Sequence, residues 1–174
     1  MDTHRLVDRA KHGDQEALLE LISAQRSDYY KLAYVFTKNR EDALDALEDM
    51  IVILYESIGR LKKDEAFFSW SKTILVNCCK KILRQRKKVV SLDNRPEEVY
   101  EDTYQTDELG LLETHLTRLS EKHQEVLRLR YFLDLDYQTI ANILKIPVGT
   151  VKSRISNGLK KLQDSLGVKL DEGY

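Results

Sequence analysis

Between Tyr137 and Gln163 the sequence has five basic residues, Lys145, Lys152, Arg154, Lys160 and Lys161, and no acidic one. Interleaved with them are Thr150, Ser153, Ser156 and Asn157. Short hydroxyls and an amide reach base edges in a DNA groove, while cations hold phosphates or the guanine edge. A second acid-free stretch, from Ala66 to Leu92, has seven basic residues: Lys72, Lys80, Lys81, Arg84, Arg86, Lys87 and Lys88. Then Ser91 to Asp107 sets six acids against Arg95 alone. A formal net charge of -1 therefore conceals two cationic patches separated by an acidic connector. Nucleic acid is the partner this distribution fits.

Nothing comparable points to catalysis. His4, His12, His115 and His123 are scattered, with no nucleophile–base pairing and no metal-ligand spacing. Cys78 and Cys79 are adjacent, and such neighbours rarely pair with each other. They read as small helix residues in a reducing cytoplasm. No catalytic residue, metal or cofactor is expected. The N-terminus lacks a basic head followed by an apolar run, and no apolar run approaches about 18 residues. The protein is thus expected to be cytoplasmic, neither secreted nor inserted in a membrane.

The elements that must position these residues are helices. With 42% hydrophobic and 33% charged residues, seven Gly and two Pro, the composition disfavours a sheet built from tight turns. Asp14 is an N-cap for a helix with Ala17, Leu18, Leu21 and Ile22 on one face. Tyr29, Leu32, Ala33 and Phe36 mark a second helix. A third opens near Glu41 and carries Leu47, Met50, Ile51, Leu54, Tyr55 and Ile58. A fourth, from about Asp64 to Arg86, places Phe67, Trp70, Ile74, Cys78 and Ile82 on one side. The 3.6 period is lost over the acidic, Pro96-containing stretch, which reads as a linker. It resumes at Leu109, Leu112, Leu116 and Leu119, and Ser120 then caps a helix carrying Val126, Leu127, Tyr131 and Phe132.

The last elements are the most telling. Asp136 caps a short helix whose inner face is Ile140, Ala141 and Leu144. Pro147 stops that helix and starts another with Val148, Val151, Ile155, Leu159 and Leu162 in one stripe. This is a helix-turn-helix, and small Ala141 lets the second helix cross closely. Thr150, Lys152, Ser153, Arg154, Ser156, Asn157, Lys160 and Lys161 fall opposite the stripe. Residues from Gly167 onward are expected to fray. The predicted fold is all-α, with two small helical domains, 1–90 and 108–174, joined by an acidic flexible linker at 91–107.

Leu119 to Tyr131, followed by Tyr137 to Arg154, resembles region four of the extracytoplasmic-function sigma factors of bacteria. The family's Ile-Pro-x-Gly-Thr-Val-Lys/Arg-Ser-Arg pattern is met at Ile146 to Arg154. The resemblance implies recognition of the minus-thirty-five promoter element in the major groove, with Lys152, Ser153, Ser156 and Asn157 facing bases. Lys145 stands where the family usually has Gly, Ser120 where it has Pro and Thr139 where it has Glu. The last departure removes a capping-box partner but leaves Asp136 as a cap.

Phe67-Phe68-Ser69-Trp70-Ser71-Lys72-Thr73-Ile74-Leu75-Val76-Asn77 resembles the Phe-x-x-Trp-Leu-x-x-Ile-x-x-Asn of sigma region two. There the resemblance places Asn77 against a flipped base, with Lys80, Lys81 and Arg84 along the melted strand. Phe67 and Trp70 share the buried stripe and are assigned to the core ahead of the alternative, a stacking platform, and Ser71, in place of Leu, is expected to loosen the packing. Glu41 to Asp49 resembles the segment that docks on the β′ clamp helices, with Asp42, Asp45, Glu48 and Asp49 as its acids; Glu48 replaces a usual Gln. The implied protein is an alternative sigma factor with regions two and four only. Its implied partners are core RNA polymerase (β′ clamp helices and β subunit), promoter DNA and an anti-sigma factor. The linker, extended, reaches about 55–60 Å, enough for promoter elements roughly 50 Å apart. A helix-turn-helix regulator that never replaces sigma is the alternative, and it would show no preference for melted DNA.

Overall fold

The computed structural model describes residues 1–93, 112 and 114–167, and every regular element among them is helical. Two compact units divide the chain, Met1–Glu97 and Glu98–Tyr174.

The first unit holds α1 (Thr3–Lys11), α2 (Gln15–Ala24), α3 (Arg26–Thr37), α4 (Arg40–Ser57) and α5 (Phe67–Asp93), with short 3-10 turns at Ile58–Arg60 and Asp64–Ala66 before α5. Helix starts are set by side chains. Asp2, Asp14 and Asn39 accept from the backbone N–H of Arg5, Ala17 and Asp42 respectively. The sequence reading missed α1, whose inner face is only Leu6, Val7 and Ala10. An ion pair between Lys11 and Asp64, with His4 Nε2 3.3 Å from the same carboxylate, ties α1 to the turn preceding α5.

The core lies where α3, α4 and α5 meet: Tyr29, Leu32, Ala33, Met50, Leu54, Phe67, Leu75, Val76 and Cys79 are almost wholly buried. Both cysteines are buried free thiols, and burial pushes Cys79 up to about 12, so it stays an unreactive thiol. Two expectations change here. Tyr55 is exposed, its hydroxyl accepting from Gln15 Nε2 at 3.1 Å. Ser71 does not loosen the core. Its Oγ is buried 2.7 Å from the Tyr29 hydroxyl, and it also donates to the Phe68 carbonyl. Burial pushes the Tyr29 phenol up to about 12, so it remains a neutral hydrogen-bonding group.

Ser71→Ala is therefore expected to cost about 1–3 kcal/mol, because it strands a buried hydroxyl. Adding Tyr29→Phe should recover much of that loss. Denaturant unfolding of the three variants checks this, and a fully additive double mutant would show that the pair is not coupled.

Helix α5 continues through Ser91, Leu92 and Asp93, the first residues of the expected linker. The rest of that linker, 94–107, lies outside the described residues, as do Leu109 and the expected frayed end beyond Gly167.

In the second unit a helical turn over 114–117 precedes α6 (Glu121–Leu127), a π-helical turn (Arg128–Phe132), α7 (Tyr137–Leu144) and α8 (Val148–Leu166). Leu116, Leu119, Val126, Leu127, Leu129, Ile140, Ala141, Ile143, Val151 and Ile155 form its core. Tyr131 and Phe132, expected on the inner stripe, are 56% and 47% exposed. The π turn is the cause. Its widened i→i+5 bond, from Leu133 N–H to the Arg128 carbonyl, shifts the register so that Leu129 takes the inner position. At Ser120 the hydroxyl meets His123 Nδ1 at 3.0 Å and makes no backbone cap bond.

Candidate nucleic-acid and polymerase interfaces

Three residues set the ends of the helix-turn-helix, Asp136 before α7 and Lys145 and Pro147 in the turn between α7 and α8. Asp136 caps α7, accepting from the Thr139 N–H at 2.8 Å and from its hydroxyl at 3.0 Å. Thr139 thus donates twice to the cap carboxylate, a different bond from the one a glutamate there would accept from the Asp136 N–H. These bonds hold the Asp136 carboxyl below its ordinary value, the backbone bond from Thr139 being the largest cause. Lys145 closes α7 in the left-handed region, at φ 56° and ψ 45°. A glycine fits that conformation without strain, which is the physical reason for one there; lysine carries the extra cost of its Cβ. Pro147 then leads into α8.

Helix α8 is held close to α6 through Gly158, where an added Cβ would come within 3.2 Å of Leu127 Cδ1. Its outer face carries Lys152, Ser153, Ser156, Asn157, Lys160 and Lys161, all exposed, with Thr150 and Arg154 half-buried at the margin. At 3.6 residues per turn, Ser153, Ser156, Asn157 and Lys160 line the middle of that face. Lys152 flanks it on the α7 side, its Nζ 5.9 Å from the Tyr137 ring centroid. Arg154 and Lys161 flank the other side near His123; burial first, and then these two cations, hold its imidazole below the ordinary value.

Two residues that sequence reasoning passed over join this surface. Arg130 lies over the same Tyr137 ring at 5.2 Å and donates to the Leu135 carbonyl. Tyr137 is exposed, so two cations and a phenol gather at one corner of the recognition face. Both residues belong to quoted stretches, but their meeting depends on the π turn and on Asp134 at φ 50°.

On α5, Asn77, Lys81 and Arg84 are exposed at steps of four and three on one face. Lys80 is half-buried, its Nζ 6.0 Å from the Phe36 ring centroid. Phe67 is core, as expected, whereas Trp70 is half-buried and heads the Asn77–Lys81–Arg84 face. On α4, Asp45, Glu48 and Asp49 are exposed together with Leu44, Val52 and Ile53. Asp42 departs from its expected place. Its side chain is 8% exposed and turned toward α5, where Arg86 Nε lies 3.0 Å from Oδ2. Asp42 is therefore not part of the exposed acidic face. In its place, Val52 adds an apolar component to the middle of that face, with Leu44 and Ile53 exposed at its two opposite edges.

Comparison with known proteins finds two family matches. Residues 21–89 match Sigma-70 region 2, and residues 115–164 match Sigma-70, region 4. The RNA polymerase sigma factor SigV of Bacillus subtilis is 30% identical over 162 residues, covering 91% of this chain and 96% of that protein. The chain belongs to the extracytoplasmic-function sigma factors. A second relative, the ECF RNA polymerase sigma factor SigW of Bacillus subtilis, is 27% identical, with 92% of this chain and 94% of the relative covered. Among solved structures, CnrH in complex with the cytosolic domain of CnrY shares the fold of this sigma factor, with TM-score 0.71, 21% identity and 95% of this chain and 97% of that one covered. RpoE in complex with the anti-sigma factor NepR from Bartonella quintana also shares it, at TM-score 0.67 and 24% identity, with 90% and 98% covered. Members of this family are transcription initiation factors. Among the described residues no helix is long and apolar enough to cross a membrane.

Proposed function

We propose that this sigma factor binds core RNA polymerase through the acidic and apolar face of α4, melts and reads the downstream promoter element along α5, and reads the upstream element with α8. It is read as a cytoplasmic protein that binds and positions DNA and performs no bond chemistry itself. The observation that carries the reading is the exposed face of α8, which holds hydroxyls, an amide and cations and no acid before Asp164. A merely solvated helix face mixes both signs of charge. Thr150, Lys152, Ser153, Arg154, Ser156, Asn157, Lys160 and Lys161 form the upstream interface, with Arg130 and Tyr137 at its edge. The paired donor and acceptor of exposed Asn77 suit a base edge, and Lys80, Lys81 and Arg84 suit the displaced backbone.

An anti-sigma factor is the proposed inhibitor. Two neighbours of the same fold carry partner names in their structures, one of them an anti-sigma factor. Leu44, Val52 and Ile53 supply exposed apolar surface that such a protein would cover together with the docking acids.

Asn77→Ala tests the downstream assignment. A neutral amide contributes little to phosphate attraction, so the salt slope of holoenzyme binding to bubble templates should stay nearly unchanged. Preference at one downstream base should relax by about 1–3 kcal/mol. Lys80, Lys81 and Arg84 substitutions should do the opposite, weakening every sequence and flattening the slope. Full retention of base preference by Asn77→Ala would move the flipped-base pocket elsewhere.

A further inference from the structure

Asp42 and Arg86 form a pair that none of the interfaces above uses. The Asp42 side chain is 8% exposed and that of Arg86 49%, with Nε 3.0 Å from Oδ2, an ion pair by distance in which the N–H is not aligned for a hydrogen bond. The Asp42 backbone N–H donates to the Asn39 side chain, which fixes residue 42 in the first turn of α4. At 3.6 residues per turn, Arg86 falls on the side of α5 away from Asn77, Lys81 and Arg84. It faces α4, and the strand track faces outward.

The packing of α5 gives the pair its importance. Leu75, Val76, Cys78 and Cys79 are buried, Ile82 and Leu83 are half-buried, and every residue from Arg84 to Val89 is exposed. The basic end of the track, with Arg84, Lys87 and Lys88, therefore stands beyond the buried core. Arg86 is where that end meets α4. A buried carboxylate holds its counter-charge strongly, because separating the two leaves a charge without solvent. Burial pushes the Asp42 carboxyl up, and Arg86 is the cation that opposes this.

We propose that Asp42 is a positioning residue: through Arg86 it fixes the basic end of α5 against the polymerase-docking helix α4, and so sets affinity for the melted strand. The proposal rests on the assignment of α5 as the strand track. Because Asp45, Glu48 and Asp49 lie on the same helix, docking and strand binding are joined mechanically at this pair.

Charge and position make opposite forecasts for Asp42→Asn. Removing an acid beside a cationic track strengthens binding if charge alone acts. Releasing the end of α5 weakens it. The assay is holoenzyme binding to a pre-melted template, with Lys80→Ala/Lys81→Ala/Arg84→Ala as the control for the track. Asp42→Asn is expected to bind about five- to tenfold more weakly, and amides of residues 84–89 should exchange roughly tenfold faster. Affinity for core polymerase should change less than about twofold, since Asp42 lies off the exposed face. Arg86→Lys should keep most of the binding and Arg86→Gln should not. The Asp42→Asn/Arg86→Gln double mutant should be no weaker than Arg86→Gln alone. Equal or tighter binding by Asp42→Asn, or unchanged exchange at 84–89, overturns the proposal. If the track control loses affinity while Asp42→Asn does not, only the positioning role fails. If the track control also loses nothing, the strand track itself is misassigned, and the positioning role falls with it.

Discussion

A chain carrying Asp45→Lys, Glu48→Lys and Asp49→Lys is expected to lose measurable affinity for core polymerase while keeping its fold. All three side chains are exposed on one face of α4, and none contributes to the buried core. Rim charges individually add little to affinity, but like charges brought together cost several kcal/mol. Three reversals against a basic clamp helix should therefore weaken binding by at least about 100-fold. Far-ultraviolet circular dichroism should show unchanged helix content. Unchanged core affinity in a pull-down would remove this face from the docking surface. Asp42 is left out of the triple by design, since reversing it would place a cation against Arg86.

Lys152→Ala is the second large effect, and it separates the two DNA activities. Lys152 flanks the recognition face, exposed, with its Nζ 5.9 Å from the Tyr137 ring centroid. Its loss should cost the fold less than about 1 kcal/mol, the range of an exposed cation–π contact. Holoenzyme binding to duplex promoters with an upstream element should weaken by about 1–3 kcal/mol if Lys152 reads a base. Binding to a pre-melted fragment containing only the downstream element should barely change. Equal loss on both templates would show that Lys152 is not an upstream base reader.

The recognition face was legible because several independent signals coincide in sequence. A strong apolar stripe, Pro147 at a helix start and an acid-free outer face all belong to one continuous segment, so no distant contact is needed to orient it. Residues whose setting depends on distant partners were harder. Ser71 reads as a defect in an apolar stripe, yet its partner Tyr29 is 42 positions away and the two satisfy each other. Asp42 shares its short segment with four exposed acids, Glu41, Asp45, Glu48 and Asp49, but at 3.6 residues per turn it falls at the edge of their face, next to buried Ala46. Tyr131 and Phe132 fit the inner stripe of a regular α-helix. The π turn that moves them outward has no sequence signature, and with it went the meeting of Arg130, Tyr137 and Lys152. The first helix escaped notice because its inner face is only three residues.

The central claim is that this chain gives core polymerase promoter specificity that the core lacks. Run-off transcription on genomic DNA, by core polymerase with and without the purified protein, tests it most directly. The account predicts discrete transcripts only when the protein is present, starting downstream of a shared pair of elements. Those transcripts should vanish with the Asp45/Glu48/Asp49 triple reversal and weaken with Lys152→Ala. Duplex binding without polymerase, together with no new transcripts from core, would contradict it and mark a helix-turn-helix regulator that never replaces sigma.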